Sequence, residues 1–158
     1  MSEEYALEKW IWTDADFEQM DWHDVPIHAM AYLSGTFEIA FDIDYILKWV
    51  HPGPDETHYS FWIAPATIIF QNVTDLQLDL ESVGGITVQD LDRADRQPSR
   101  PGFEGPEANW LWTFNCLEGA IQLRATGFRQ TIRRAPTHQA EQRIPLTGRG
   151  GISFSESR

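Results

Sequence analysis

The chain has 158 residues, a formal net charge of −12 and a single cysteine. That length favours one domain, able to bury on the order of 70% of its unfolded surface without a disulfide or a structural metal. Cys116 has no partner for an internal disulfide, which fits a reducing compartment. The charge is uneven: residues 1–95 carry 19 acids and 3 bases, whereas residues 96–158 carry 5 acids and 9 bases, all arginine. Such an acidic front half repels nucleic-acid phosphates and anionic membranes, and it attracts a basic partner or a cation. Two readings of the asymmetry stand side by side. The acids face a partner, or they pair with the arginines of the back half inside one fold. No stretch approaches the ~20 apolar residues of a membrane helix. Met1–Tyr5 lacks the basic and apolar regions of an export signal, so a cytoplasmic protein is expected.

The aromatic content, 7 Trp, 9 Phe and 4 Tyr, leans toward sheet, because aromatic side chains suit a pleated, half-buried surface. Thr13 is placed to cap a short helical turn that brings Phe17 and Met20 to one side, and Pro26 ends it. From Ile27 to Leu33 the apolar period is two. The clearest element follows: Phe37, Ile39, Phe41, Ile43, Tyr45, Leu47 and Trp49 fill every odd position over thirteen residues. This predicts one long strand with an apolar face and a wet face bearing Asp42 and Asp44. His51–His58, with two prolines, is a loop. Tyr59–Ile63 and Thr67–Val73 read as strand segments around a bend or edge at Pro65. Leu76–Leu80, Ile86–Val88, Trp110–Cys116 and Ile121–Ala125 alternate likewise, the last strand extending toward Phe128 and Ile132.

These segments predict a mainly β fold, an antiparallel meander forming a sandwich or open barrel with one short N-terminal helix. Residues 1–135 are expected to form the single domain, with 92–109 as a mobile loop. Residues 136–158 are expected to be a flexible or docked tail.

Phosphate-cradling glycine loops, His-Glu-x-x-His, paired Cys-x-x-Cys and nucleophile elbows are all absent, so no cofactor or metal is expected. Three constellations carry polar chemistry. His23 and Asp24 beside Trp22, with His28, join two imidazoles and a carboxylate. Asp42 and Asp44 share one face about 6.6 Å apart by strand rise, the arrangement that lets two carboxylates divide acid and base roles. The loop from His51 to His58 holds Asp55 and Glu56 between its histidines. Packing corners, wet strand faces and ordinary connectors produce the same patterns. The binding candidates are therefore Trp22, His23, Asp24, His28, Asp42 and Asp44.

The runs Trp22-His23-Asp24-x-x-Ile27-His28, Asp42-Ile43-Asp44-Tyr45-x-x-Lys48-Trp49 and Phe61-Trp62-x-x-Pro65-Ala66-Thr67 resemble a family of small acidic bacterial proteins of uncharacterised function. The resemblance spans roughly residues 10–80 and implies no particular activity. In size and charge alone the chain also resembles the immunity proteins that neutralise bacterial toxins. The expected function is a non-catalytic acidic protein-binding module, an immunity-type inhibitor of a basic bacterial toxin being the concrete version. The alternative is a small-ligand-binding protein or metal-dependent hydrolase using His23, Asp24 and His28 with Asp42 and Asp44.

Overall fold

The computed structural model describes residues 4–81 and 84–157. Most of the segment read for export therefore lies outside the described residues. The strands are β1 Ile11–Thr13, β2 Pro26–Leu33, β3 Glu38–Val50, β4 Ser60–Gln71 and β5 Thr74–Leu80. They continue with β6 Ile86–Pro98, β7 Ala108–Cys116, β8 Gly119–Ala125, β9 Gly127–Ile132 and β10 Thr137–Gln139. All pairings are antiparallel, in the order β1-β9-β4-β3-β2-β6-β7-β8-β5, with β10 beside β4. The fold is thus mainly β, as the alternating periods predict.

Two leaves meet at a narrow seam, because β2 and β6 pair only through Pro26–Thr87 and Ile27–Ile86. One leaf then lies over the other, and aromatic rings fill the space between. Phe41 of β3 meets Phe114 of β7 at 5.1 Å between centroids, and Phe70 of β4 meets Trp112 of β7 at 5.6 Å. Trp112 also meets Phe128 of β9 edge-on at 5.4 Å, a geometry that aligns positive ring edges with negative faces. Phe41, Phe70, Trp112, Phe114 and Phe128 are all buried. Each such ring contributes roughly 1.5–3 kcal/mol of burial, so this cluster dominates the cohesion of the leaves.

At the entrance, Thr13 caps a 3-10 helix over Asp14–Gln19: its hydroxyl accepts from the Ala15 N–H, and Asp16 accepts from the Thr13 N–H. The cap fixes Phe17 against Trp22 and Trp112. The helix also presses on β9. Asp14 Oδ1 accepts the Phe128 N–H at 3.2 Å, and a Cβ at Gly127 would stand 2.3 Å from that oxygen. Only glycine allows this approach.

Several boundaries differ from the expected ones. Residues 92–109 are not one loop. β6 runs to Pro98 and β7 begins at Ala108, leaving 99–107 as the connection. The polar side chains of β6 hide its period, and a bulge between Ala94 and Gln97 breaks it further. β4 is a single strand. Pro65 needs no N–H partner because β4 changes neighbour there, from β10 at Phe61–Ile63 to β9 at Ala66–Gln71. β8 and β9 are separate strands, and the chain crosses from one leaf to the other between them at Thr126. A short second helix, α1 Leu146–Arg149, lies in the tail. That tail is docked.

Candidate functional site

The thirteen-residue alternation places Ile39, Phe41, Ile43 and Tyr45 toward the aromatic core, as its period requires. The opposite face of β3 is not wet. Asp42 and Asp44 are both 0% exposed, because the C-terminal tail lies across that face as a strap. The expectation of an exposed carboxylate pair is therefore corrected. A polar residue at an outward position of a strand is solvated only if nothing later in the chain covers it.

The strap is tied by a dense ionic network. Arg149 donates through Nη1 to Asp42 Oδ2 at 2.7 Å, through Nη2 to Asp42 Oδ1 at 2.6 Å and through Nε to Asp44 Oδ1 at 2.9 Å. Its remaining donor capacity goes to the carbonyls of Ile43 and Gly151. Arg133, just after β9, donates to Asp42 Oδ1 and to the Thr67 hydroxyl, both at 2.8 Å. Thr67 in turn donates to the Ser155 carbonyl at 2.6 Å, and the Ser153 N–H donates to Asp42 at 2.9 Å. Asp44 accepts from the Ile144 N–H at 2.8 Å and lies 2.6 Å from His28 Nε2. Arg129 of β9 holds the end of the strap through Glu156 and also pairs with Glu38.

The electrostatics agree with the geometry. Burial alone would push the Asp42 carboxyl up, but the hydrogen bonds from Arg149, Ser153 and Arg133 outweigh it and hold the group below the usual carboxylate range. Burial likewise disfavours the Arg149 cation, yet Asp42 and Asp44 hold its pKa above the ordinary value. Every carboxylate oxygen is occupied, and both groups are shut off from water.

The remaining candidates divide. His28 joins the network, its side chain 2% exposed, so His28, Asp42 and Asp44 do converge. Trp22 is core: its indole N–H donates to Gln130 at 2.9 Å while its ring meets Phe17, Tyr45 and Phe128. His23 is exposed, 3.3 Å from Asp24 and tilted against the ring of Trp49, with no bond to Asp42 or Asp44. Asp24 accepts from Gln142 of the tail at 2.8 Å. His51 rests against Tyr59. Among the described residues no group of three His, Cys, Asp or Glu side chains is arranged to hold a metal ion.

The partners that sequence reasoning missed are Arg133, Arg149, Thr67 and Ser153. The available signal was the arginine-rich back half. Four of its arginines pair with acids of the front half: Arg124 with Asp95, Arg129 with Glu38, Arg133 with Asp42, and Arg149 with Asp42 and Asp44.

Once those pairs form, a cluster of exposed acids remains on the other leaf. Asp90 of β6, Asn115 of β7, Ala120 of β8 and Asp79 of β5 stand in one row across four strands. Asn115 donates to both Asp90 and Asp92, at 2.7 and 3.0 Å, which fixes the two carboxylates side by side. Asp79, Glu81, Asp90 and Asp92 are exposed, and among the described residues none has a basic side chain within ion-pair distance. No helix among the described residues is long and apolar enough to cross a membrane. Comparison with protein-family models, with curated proteins and with solved structures gives no match.

Proposed function

We propose that this chain is a non-catalytic binding protein whose acidic face on β5, β6, β7 and β8 receives a basic protein, an inhibitor of a basic bacterial toxin being the concrete version. The observation that carries this reading is the row of exposed carboxylates at Asp79, Asp90 and Asp92 with no neutralising cation beside them among the described residues. Unpaired charges of one sign on a rigid sheet speed encounter with an opposite surface and make the complex sensitive to salt. Asn115 holds two of the three carboxylates in place, so little side-chain freedom is lost on binding. The competing reading, chemistry at His28, Asp42 and Asp44, loses support because those groups are saturated by the protein's own donors and covered by its own tail.

Affinity capture from the native host at low and at high salt tests the proposal, with the triple variant Asp79→Asn, Asp90→Asn, Asp92→Asn alongside. The expected result is a basic protein retained by the wild type at low salt, released at high salt and not retained by the variant. A partner held equally by the variant, or one that is acidic, contradicts the reading.

A further inference from the structure

The second leaf carries a different feature at its far end, six residues along β7 from Asn115, about 20 Å by strand rise. There a cavity of about 530 Å³ opens between the β2–β3 turn, the β4–β5 turn and the 99–107 connection, a size that takes a small molecule. Backbone strain gathers around it. Five non-glycine residues among those described have positive φ. Three of them, Phe37 at 56°, Asn72 at 55° and Asp75 at 55°, line the cavity. A fourth, Asp95 at 48°, pairs with Arg124 in the cavity wall. Asp75 and Asp95 also sit at the bulges of their strands, devices that re-aim side chains near functional sites.

Phe37 is the telling case. A bulky residue in the left-handed region is costly, and burial does not offset that cost here, because the residue is 66% exposed. Its carbonyl accepts the Val73 N–H at 2.8 Å, which holds the turn in this shape. Glycine would serve the backbone better, so the ring itself is what the position supplies.

The chemistry of the walls narrows the ligand. Arg124 is satisfied by Asp95 and by Asn109 Oδ1 at 2.9 Å, and Arg100 and Asp75 add one charge of each sign to the lining, so the cavity carries no net charge that selects an anion or a cation. A purely apolar ligand would strip water from the amides without replacing its hydrogen bonds. Asn72 is braced through its Nδ2 on Thr126 at 2.8 Å, which leaves its side-chain oxygen as an acceptor, while Asn109 accepts from Arg124 through Oδ1 and keeps its side-chain nitrogen as a donor. Two aromatic residues, Phe37 and Phe103, line the same cavity as these amides. A molecule with C–H faces for the rings and hydroxyls for the amides fits both demands. We propose that this cavity binds a neutral carbohydrate of one to a few pyranose units, with Phe37 against its C–H face and Asn72 and Asn109 at its hydroxyls. The site is separate from the acidic row and does not depend on the basic partner.

The test is an amide chemical-shift titration of the isotope-labelled full chain with maltotriose, cellotriose, mannotriose and tri-N-acetylchitotriose in turn, with inorganic phosphate and free arginine as charged controls. At least one trisaccharide is expected to shift the amides of Phe37, Asn72, Asp75 and Asn109, while the controls leave them in place. Phe37→Gly, which relieves the backbone, should keep or raise the unfolding temperature yet weaken the sugar about tenfold. The proposal is overturned if none of the four sugars shifts these amides, if phosphate or arginine shifts them instead, or if Phe37→Gly binds as the wild type does.

Discussion

Arg149 grips Asp42 with two parallel hydrogen bonds, 2.7 and 2.6 Å long, and neither side chain reaches solvent. The residues are 107 apart in sequence, so this contact closes the C-terminal strap over the sheet. Such a bidentate pair is strong and directional, but its larger consequence is what its loss leaves behind, two buried carboxylates with only Arg133, bonded to Asp42, as their arginine.

Arg149→Met therefore should cost about 3–5 kcal/mol of unfolding free energy. Arg149→Lys should fall between, since a point-like ammonium does not match the fork on Asp42 while also reaching Asp44. Chemical denaturation gives the magnitudes. Amide exchange should localise the loosening to residues 144–155, where the N–H groups of Ile144 and Ser153 lose their carboxylate acceptors. Unchanged protection there would count against the strap.

The acid limb of stability follows from Asp42. Burial opposes its ionisation, but the hydrogen bonds of Arg149, Ser153 and Arg133 more than reverse that, so its folded pKa lies below its unfolded one. An unfolded chain then binds the proton first, and the contribution of Asp42 is complete above its ordinary value of 3.8 and is lost as the pH falls through its lower folded value. Asp16, lowered by its bond to Lys9 and by the Thr13 N–H, adds to the same limb. Denaturation midpoints measured downward from about pH 6 should stay level until near pH 4 and then fall, less steeply in Asp16→Asn. A midpoint that rises on acidification would contradict the assignment.

Cys116 is packing, not chemistry. Burial, with the nearby charges of Glu118 and Asp90, pushes its thiol up to about 11, so almost no thiolate exists at neutral pH. An aromatic disulfide reagent at pH 8 should leave the native protein unlabelled and should label one thiol per chain after denaturation. Rapid native labelling would disprove this.

The turn between β7 and β8 depends on one backbone geometry. Gly119 has φ of +139°, and a Cβ there would stand 1.9 Å from the Asp79 carbonyl oxygen. Gly119→Ala should destabilise by more than about 1 kcal/mol, and it should displace β5 from β8. Thermal unfolding of the variant measures it, and an unaltered transition would show that the edge strand is not held so closely.

The sheet was legible because its alternation is local. Phe37 to Trp49 announces a strand in thirteen letters, and the helix-capping Thr13 and the stop at Pro26 are equally self-contained. β6 was less so, since outward polar residues and a bulge at Asp95 make a strand look like a loop. The site was half legible. Spacing puts Asp42 and Asp44 on one face, but the pairing of β2 with β3, bulged at His28, brings His28 beside Asp44, and whether that face meets water depends on Arg149, a contact across most of the chain. No local pattern encodes such a contact. Only the opposite charge of the two halves of the chain hinted at it. Phe37 illustrates the reverse error: its place in the apolar rhythm suggests core, whereas its left-handed backbone turns the ring outward.

The accessible carboxylates Asp79, Asp90 and Asp92 lie on β5 and β6, and Asp42 and Asp44 of β3 are sealed. Carbodiimide coupling of glycine ethyl ester to the native protein, read residue by residue by mass spectrometry, measures this directly. Asp79, Asp90 and Asp92 should label readily, whereas Asp42 and Asp44 should stay unmodified until the protein is unfolded or Arg149 is replaced. Native labelling of Asp42 and Asp44 at the rate of Asp79 would contradict the sealed strap and return the acidic surface to β3.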